Sequence, residues 1–292
     1  MRKIFYFAMV AVTAIFAGCA NDEDALLPND SLKDTPINVD VLVSGINTRA
    51  GYGNTSLPTM FYLSIDQKDT KYDYNVVMKH EGGSWVAYES AAKNAAKTQL
   101  LWEGSEANVT VTAATFPLPK SSTSYDLSVQ TDQSNDDGIN ASDHLYYYSN
   151  AVTPSTGCIS LELDHIMSKI TVKLTLGTEY KDSETNPITS VTAFGASTGA
   201  TYSPGAGTPW SAGSNVSKIT LIPSAADDTN NRTATYEAIL VPQTIAENTF
   251  GIEIRIGEKT YEWTSADAFT LTGGTNHTLE MTVGNASSAN IK

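Results

Sequence analysis

Ile37-Asn38-Val39-Asp40-Val41-Leu42-Val43-Ser44 places Ile37, Val39, Val41 and Val43 on one face and Asn38, Asp40, Leu42 and Ser44 on the other. A period of two in β-branched residues is the signature of a half-buried strand. The run ends at Gly45, and Asn47-Thr48-Arg49-Ala50-Gly51 follows as an exposed turn of small residues. The same grammar recurs downstream at 59–65, 74–78, 85–88, 109–114, 145–148, 159–163, 170–176, 188–194, 218–222, 233–241, 250–256, 259–263 and 277–283. These runs are short, rich in Val, Ile, Thr and Tyr, and separated by Gly, Pro, Asn and Ser. Gly257-Glu258 between two of them predicts a tight hairpin. Only 89–99, with Ala91, Ala92, Ala95 and Ala96, has strong helix propensity. It lacks a broad apolar face and reads as a short helix or loop. Many short strands without intervening helices favour sandwiches over parallel α/β sheets. The chain therefore reads as all-β, with a division near 158–168 giving two β-domains. The polar stretch 120–143 reads as a structureless excursion within the first of them.

The length of 292 residues allows one large domain or two ordinary ones. Apolar residues make up 41% and charged residues 17%, so the chain can bury a core and is not globally disordered. A net charge of −14 argues against nucleic acid as a partner, because phosphates need basic patches. Two cysteines make neither a disulfide-dense scaffold nor a four-thiolate zinc site.

The first residues carry an address. Arg2 and Lys3 precede an apolar run from Ile4 to Ala17, too short for a bilayer span of about 20 residues but right for a secretory h-region. Phe16-Ala17-Gly18-Cys19 resembles a bacterial lipobox, in which the cysteine sulfur is lipidated and becomes the mature N-terminus. The acidic Ala20-Asn21-Asp22-Glu23-Asp24 resembles a surface-export signal of lipoproteins. Residues 1–18 thus read as signal peptide and 19–36 as a lipid-anchored tether. Losing Arg2 and Lys3 takes the charge from −14 to −16. With Cys19 on lipid, Cys158 is expected to be an unpaired thiol buried as a small hydrophobe.

Catalytic and metal constellations are weak. Gly195-Ala196-Ser197-Thr198-Gly199 matches the nucleophile-elbow spacing, but that elbow needs a strand-to-helix turn and Tyr202-Ser203-Pro204-Gly205 cannot start a helix. His80, His144, His165 and His277 lack metal-ligand spacing. Asn135-Asp136-Asp137-Gly138 resembles part of a calcium loop, yet Gln133 and His144 stand where the loop needs carboxylates, so it reads as a solvated acidic loop. Tyr146-Tyr147-Tyr148 could stack on sugars, although consecutive strand residues face opposite sides. No cofactor and no enzymatic activity are expected.

Several segments in order resemble the fimbrillin-like pilins of Bacteroidales-type bacteria. Trp102-Glu103-Gly104 with Val109–Pro117 looks like that family's tryptophan-then-strand stretch, and Leu161–Val172, containing His165, Ser168, Lys169 and Ile170, resembles its central signature. Val241-Pro242-Gln243-Thr244, Ile252-Glu253-Ile254, Tyr261-Glu262-Trp263 and Gly273-Gly274 follow in the family's closing order. The resemblance implies two transthyretin-like β-sandwich domains in tandem, at 50–164 and 165–292. It also implies an outer-membrane lipoprotein anchored through Cys19, cut after Arg49 by an arginine-specific or trypsin-like protease so that the product begins at Ala50. The removable first strand is then 37–49, with Ile37, Val39, Val41 and Val43 lining the exchange groove, and Leu279, Met281 and Val283 supply the candidate donor strand. The partners implied are other fimbrial subunits, and the function is a structural or accessory subunit of adhesive surface fimbriae. The alternative reading is a monomeric surface lipoprotein that binds glycans. Residues 284–292 are polar and short for a donor, so either Leu279, Met281 and Val283 serve when the last strand swings out, or the chain is a terminal, tip or anchor subunit, an anchor keeping its lipid and staying uncut at Arg49. Removing 19–49 discards six acidic and two basic groups, taking the charge from −16 to −12, a value suited to keeping exposed strand edges soluble.

Overall fold

A computed structural model of the chain describes residues 32–44, 51–53, 56–105, 107–120, 122–180, 183, 185–224, 232–284 and 288–291. The strands of the first half are β1 (Asn38–Val43), β2 (Met60–Asp66), β3 (Tyr74–Glu81), β4 (Ser84–Tyr88), β5 (Val109–Ala114), β6 (Tyr125–Ser128), β7 (Leu145–Val152) and β8 (Cys158–His165). One short helix, α1 (Asp136–Asn140), lies between β6 and β7. The second half holds β9 (Ser168–Leu176), β10 (Ile188–Phe194), β11 (Gly199–Tyr202), β12 (Trp210–Ala212), β13 (Ile219–Thr220), β14 (Ile222–Ser224) and β15 (Thr233–Leu240). It closes with β16 (Gln243–Ile245), β17 (Gly251–Ile256), β18 (Lys259–Thr264), β19 (Phe269–Leu271), β20 (Asn276–Val283) and β21 (Ser288–Ile291).

The first unit is a seven-stranded sheet ordered β1-β8-β7-β5-β2-β3-β4. It folds over on itself, so strands from both ends meet in one core. Phe61, Leu63 and Ile65 point inward from β2, Val111 and Ala113 from β5, and Ile159, Leu161 and Leu163 from β8. The second unit packs the sheet β14-β15-β9-β20-β21 on the sheet β13-β10-β17-β18. Val172, Leu174 and Leu176 of β9 and Leu279, Met281 and Val283 of β20 meet Val191 of β10 and Ile252, Ile254 and Ile256 of β17. This face-to-face burial of alternating residues is what makes each unit a β-sandwich. Gly257 turns the β17–β18 hairpin at φ 58°, a left-handed conformation that glycine adopts without steric cost. Residues 89–99 form no helix; their bends fold back on β4 through a Tyr88–Lys97 bridge.

The excursion 120–143 is structured, and it docks on the second sandwich. β6 pairs with β11, which pairs with β12, giving a small third sheet across the junction. The fully buried Gln133 extends this docking. Its side-chain amide accepts from Ile239 N and donates to Ile239 O, both at 2.8 Å, as a strand neighbour would. Ile139 of α1 enters the second core. Asn135 caps α1 by accepting from Gly138 N at 2.9 Å, and Asp136 and Asp137 face the positive end of the helix. The Asn-Asp-Asp-Gly run is therefore a helix start. A Cβ at Gly138 would stand 2.1 Å from the Asp132 carbonyl, so this turn needs glycine.

His144 sits at the same junction, with Nε2 3.0 Å from the Ser128 carbonyl and its ring edge-on to Phe116 at 5.8 Å. Burial pulls its pKa below the ordinary value, and burial does the same to His277. A histidine depressed in the folded state contributes stability that is complete above its unfolded pKa of about 6.5 and is lost as pH falls through its folded value. Thermal stability is thus expected to fall between pH 7 and pH 5, and His144→Gln should flatten that slope. Calorimetry across this range checks it.

Candidate strand-exchange groove

β1 lies at the edge of its sheet and runs parallel to β8, with Asn38–Val43 in register with Cys158–Leu163. Every other pairing in that sheet is antiparallel among the described residues. The inward face is the apolar one: Ile37, Val41 and Val43 are 7%, 2% and 4% exposed, and Val39 is half-buried against the same core. Leu42 on the outer face is 42% exposed. The four residues read as lining the groove therefore do share one face. Just upstream, the backbone pairs on its other side as well. Asp34 N donates to Trp102 O, Trp102 N to Thr35 O and Ile37 N to Leu100 O, each at 2.9 Å. β8 depends on β1 in turn. Six β1 residues register with it, whereas β7 contributes two, Leu145 and Tyr146.

Both ends of this segment are held. Ser44 N donates to Leu163 O at 2.9 Å, and Ser44 Oγ bonds the Asp164 carboxylate. Beyond the turn, Tyr52 N donates at 2.8 Å to Oδ2 of the buried Asp143, whose Oδ1 meets His165 Nδ1 at 2.8 Å. A Cβ at Gly51, where φ is +94°, would strike the Asp143 carboxylate. Arg49 and Ala50, the expected cut, lie outside the described residues, as does Cys19. Cys158 is disulfide-bonded and half-buried at the outer end of β8, which corrects the expectation of an unpaired thiol. The expectation of an unpaired state rested on lipid occupying Cys19, and that of burial on the apolar Ile159 and Leu161, but Cys158 itself stands where the strand leaves the core.

The candidate donor strand is internal. β20 pairs with β9 over eight residues on one side and with β21 on the other, and Leu279, Met281 and Val283 are buried. The four-residue β21 is the edge of that sheet. The central signature is the hinge of the two sandwiches. His165 closes β8 on Asp143, and Lys169 of β9 meets Glu237 of β15 at 3.0 Å with both side chains buried. Burial lowers the Lys169 pKa, and the Glu237 carboxylate opposes that shift. Ser197 is buried in the β10–β11 connection, its amide donating to Gln243 Oε1 and its hydroxyl to the Gly199 carbonyl, each at 2.9 Å. It leads into a strand, so the nucleophile-elbow geometry is absent there. Tyr146, Tyr147 and Tyr148 do not form one platform. Tyr146 joins an aromatic cluster, Tyr147 packs on the first core, and Tyr148 is exposed.

The model of the fimbrillin-like family matches residues 59–292, four-fifths of the chain. The chain belongs to the fimbrillin-like family. Among solved structures, a protein described as a candidate cell adhesion protein from Bacteroides ovatus superposes with a TM-score of 0.63 at 17% identity, covering 89% of this chain and 96% of its own. A second such protein, from Bacteroides uniformis, gives 0.54 at 11% identity over 88% and 97%. A fimbrial protein from Bacteroides ovatus gives 0.50 at 14% identity over 85% of this chain and 48% of its own. No curated protein matches the chain in sequence. At these identities the superpositions establish the fold, two-sandwich and fimbrillin-like.

Proposed function

We propose that this fimbrillin-like chain is an accessory subunit of cell-surface fimbriae, completed by an exchangeable first strand and placed at one end of a fibre. The observation that carries the reading is β1. It is an edge strand whose removal leaves one apolar groove and most of a neighbouring strand without ladder partners, a vacancy suited to β-augmentation. The chain reaches the outer membrane as a lipoprotein through Cys19, and an arginine-specific or trypsin-like protease cuts after Arg49 to detach lipid and β1 together. The donor side is poor. β20 would have to leave two neighbouring strands and take the buried Leu279, Met281 and Val283 with it. A stalk subunit needs both a groove and a donor, whereas an end subunit needs the groove alone.

Limited trypsin digestion of the purified chain tests the reading. One early cut within 45–50 is expected, with the released peptide still bound, followed by capture of an added donor-strand peptide. An SDS-resistant ladder of this chain alone would overturn the end placement, and an intact chain indifferent to trypsin would overturn the exchange.

A further inference from the structure

The junction of the sandwiches carries a continuous aromatic seam that opens into a cleft. Phe116 stacks near Tyr146, Tyr146 meets Tyr202 edge-on at 5.5 Å, and Tyr202 meets Trp210 at 4.7 Å across the β11–β12 register. Beyond Trp210 the surface hollows into a cleft of about 660 Å³, within the range typical of small-ligand sites. Gly273 lines it, packed so closely that the position takes no side chain. A Cβ there would stand 2.6 Å from the Ile166 carbonyl and 3.2 Å from Trp210 Nε1. One wall carries the hydroxyls of Thr244 and Thr270, 3.2 Å apart on the β16–β19 pair. His165 closes the other end, oriented by its bond to the buried Asp143.

Three ring-borne polar atoms around this cleft have no protein hydrogen-bond partner among the described residues: Tyr202 Oη, Trp210 Nε1 and His165 Nε2. Tyr202 is 8% exposed, yet its hydroxyl is not sealed inside the protein. Burial pushes its pKa up to about 12, so it stays a neutral donor. None of the three is sealed from solvent, so each is open to water or to a ligand's hydroxyls. Among the described residues no Asp, Glu, Lys or Arg lines it, and the one ionisable ring there, His165, already faces the Asp143 carboxylate, which favours an uncharged ligand. Apolar ring faces rimmed by short, uncharged donors and acceptors match a pyranose, which presents C–H faces and a rim of hydroxyls. We propose that the cleft between His165, Tyr202 and Trp210 binds a short stretch of neutral carbohydrate. This site is separate from the β1 groove and does not rest on the fimbrial reading.

The test is the full chain on a printed array of neutral oligosaccharides, followed by tryptophan-fluorescence titration with the strongest binder. Binding is expected, weakened about tenfold or more by Trp210→Ala, a loss of roughly 1.4 kcal/mol. Trp210→Phe, which keeps an aromatic face, should retain most of it, and Tyr148→Ala at an exposed ring elsewhere should leave it unchanged. Circular dichroism confirms that each variant folds. No binding to the array, equal binding by a folded Trp210→Ala chain, or binding restricted to sialylated or sulfated glycans or to peptides would overturn the proposal.

Discussion

A chain that begins at Ala50 is expected to lose the cooperative melting of its first sandwich while the second keeps its own transition. β1 buries Ile37, Val41 and Val43, and at about 1.5–3 kcal/mol per side chain that is roughly 5–9 kcal/mol. A whole domain is stable by only about 5–15 kcal/mol, so the loss is decisive. It also leaves β8 with two registered residues on β7 in place of its six partners on β1. A synthetic peptide spanning residues 32–49 should restore the lost transition in calorimetry, because it carries the core side chains and the backbone groups that meet Leu100 and Trp102. Unchanged melting of the shortened chain would show that β1 is ornamental and the groove is no vacancy.

Trp102→Ala should be the most damaging single substitution near the groove. The side chain is 1% exposed, and its Nε1 donates to the Ser155 carbonyl at 2.9 Å. Its backbone pairs with Asp34 and Thr35 on the segment that leads into β1. Truncating a buried tryptophan costs about 3–5 kcal/mol, and it removes the surface on which this segment is laid. Urea denaturation should show that loss in the first transition, with Trp102→Phe intermediate. After proteolysis, the β1 peptide should dissociate faster from the alanine variant. A loss below about 1 kcal/mol would contradict the placement of Trp102 as the clamp on β1.

The strands that the sequence announces are those with enough alternating apolar residues to define a face. β1, β2, β5, β9, β10, β15, β17 and β20 all coincide with such runs. What alternation cannot give is the neighbour. That β1 pairs in parallel with β8, some 120 residues away, follows from tertiary closure and from no local pattern. β6, β11, β12, β16, β19 and β21 are three or four residues long, too short for periodicity to register. β6 is ordered by β11, and β16 by β19, each at long sequence separation. The run at Asn135 reads from sequence as a solvated acidic loop, and the bond from Gly138 N to the Asn135 oxygen makes it a capped helix start instead. The cleft at Trp210 had no sequence signal. Its aromatic residues come from β11 and β12, and its histidine from the end of β8.

The most direct measurement is N-terminal sequencing, with intact mass, of the protein recovered from the fibre fraction and from the cell envelope. Strand exchange predicts that the fibre form starts at Ala50 and lacks residues 19–49. It predicts that the envelope-bound precursor starts at Cys19 and carries lipid on that sulfur. A fibre-incorporated chain that still begins at Cys19 and keeps β1 in its groove would contradict it.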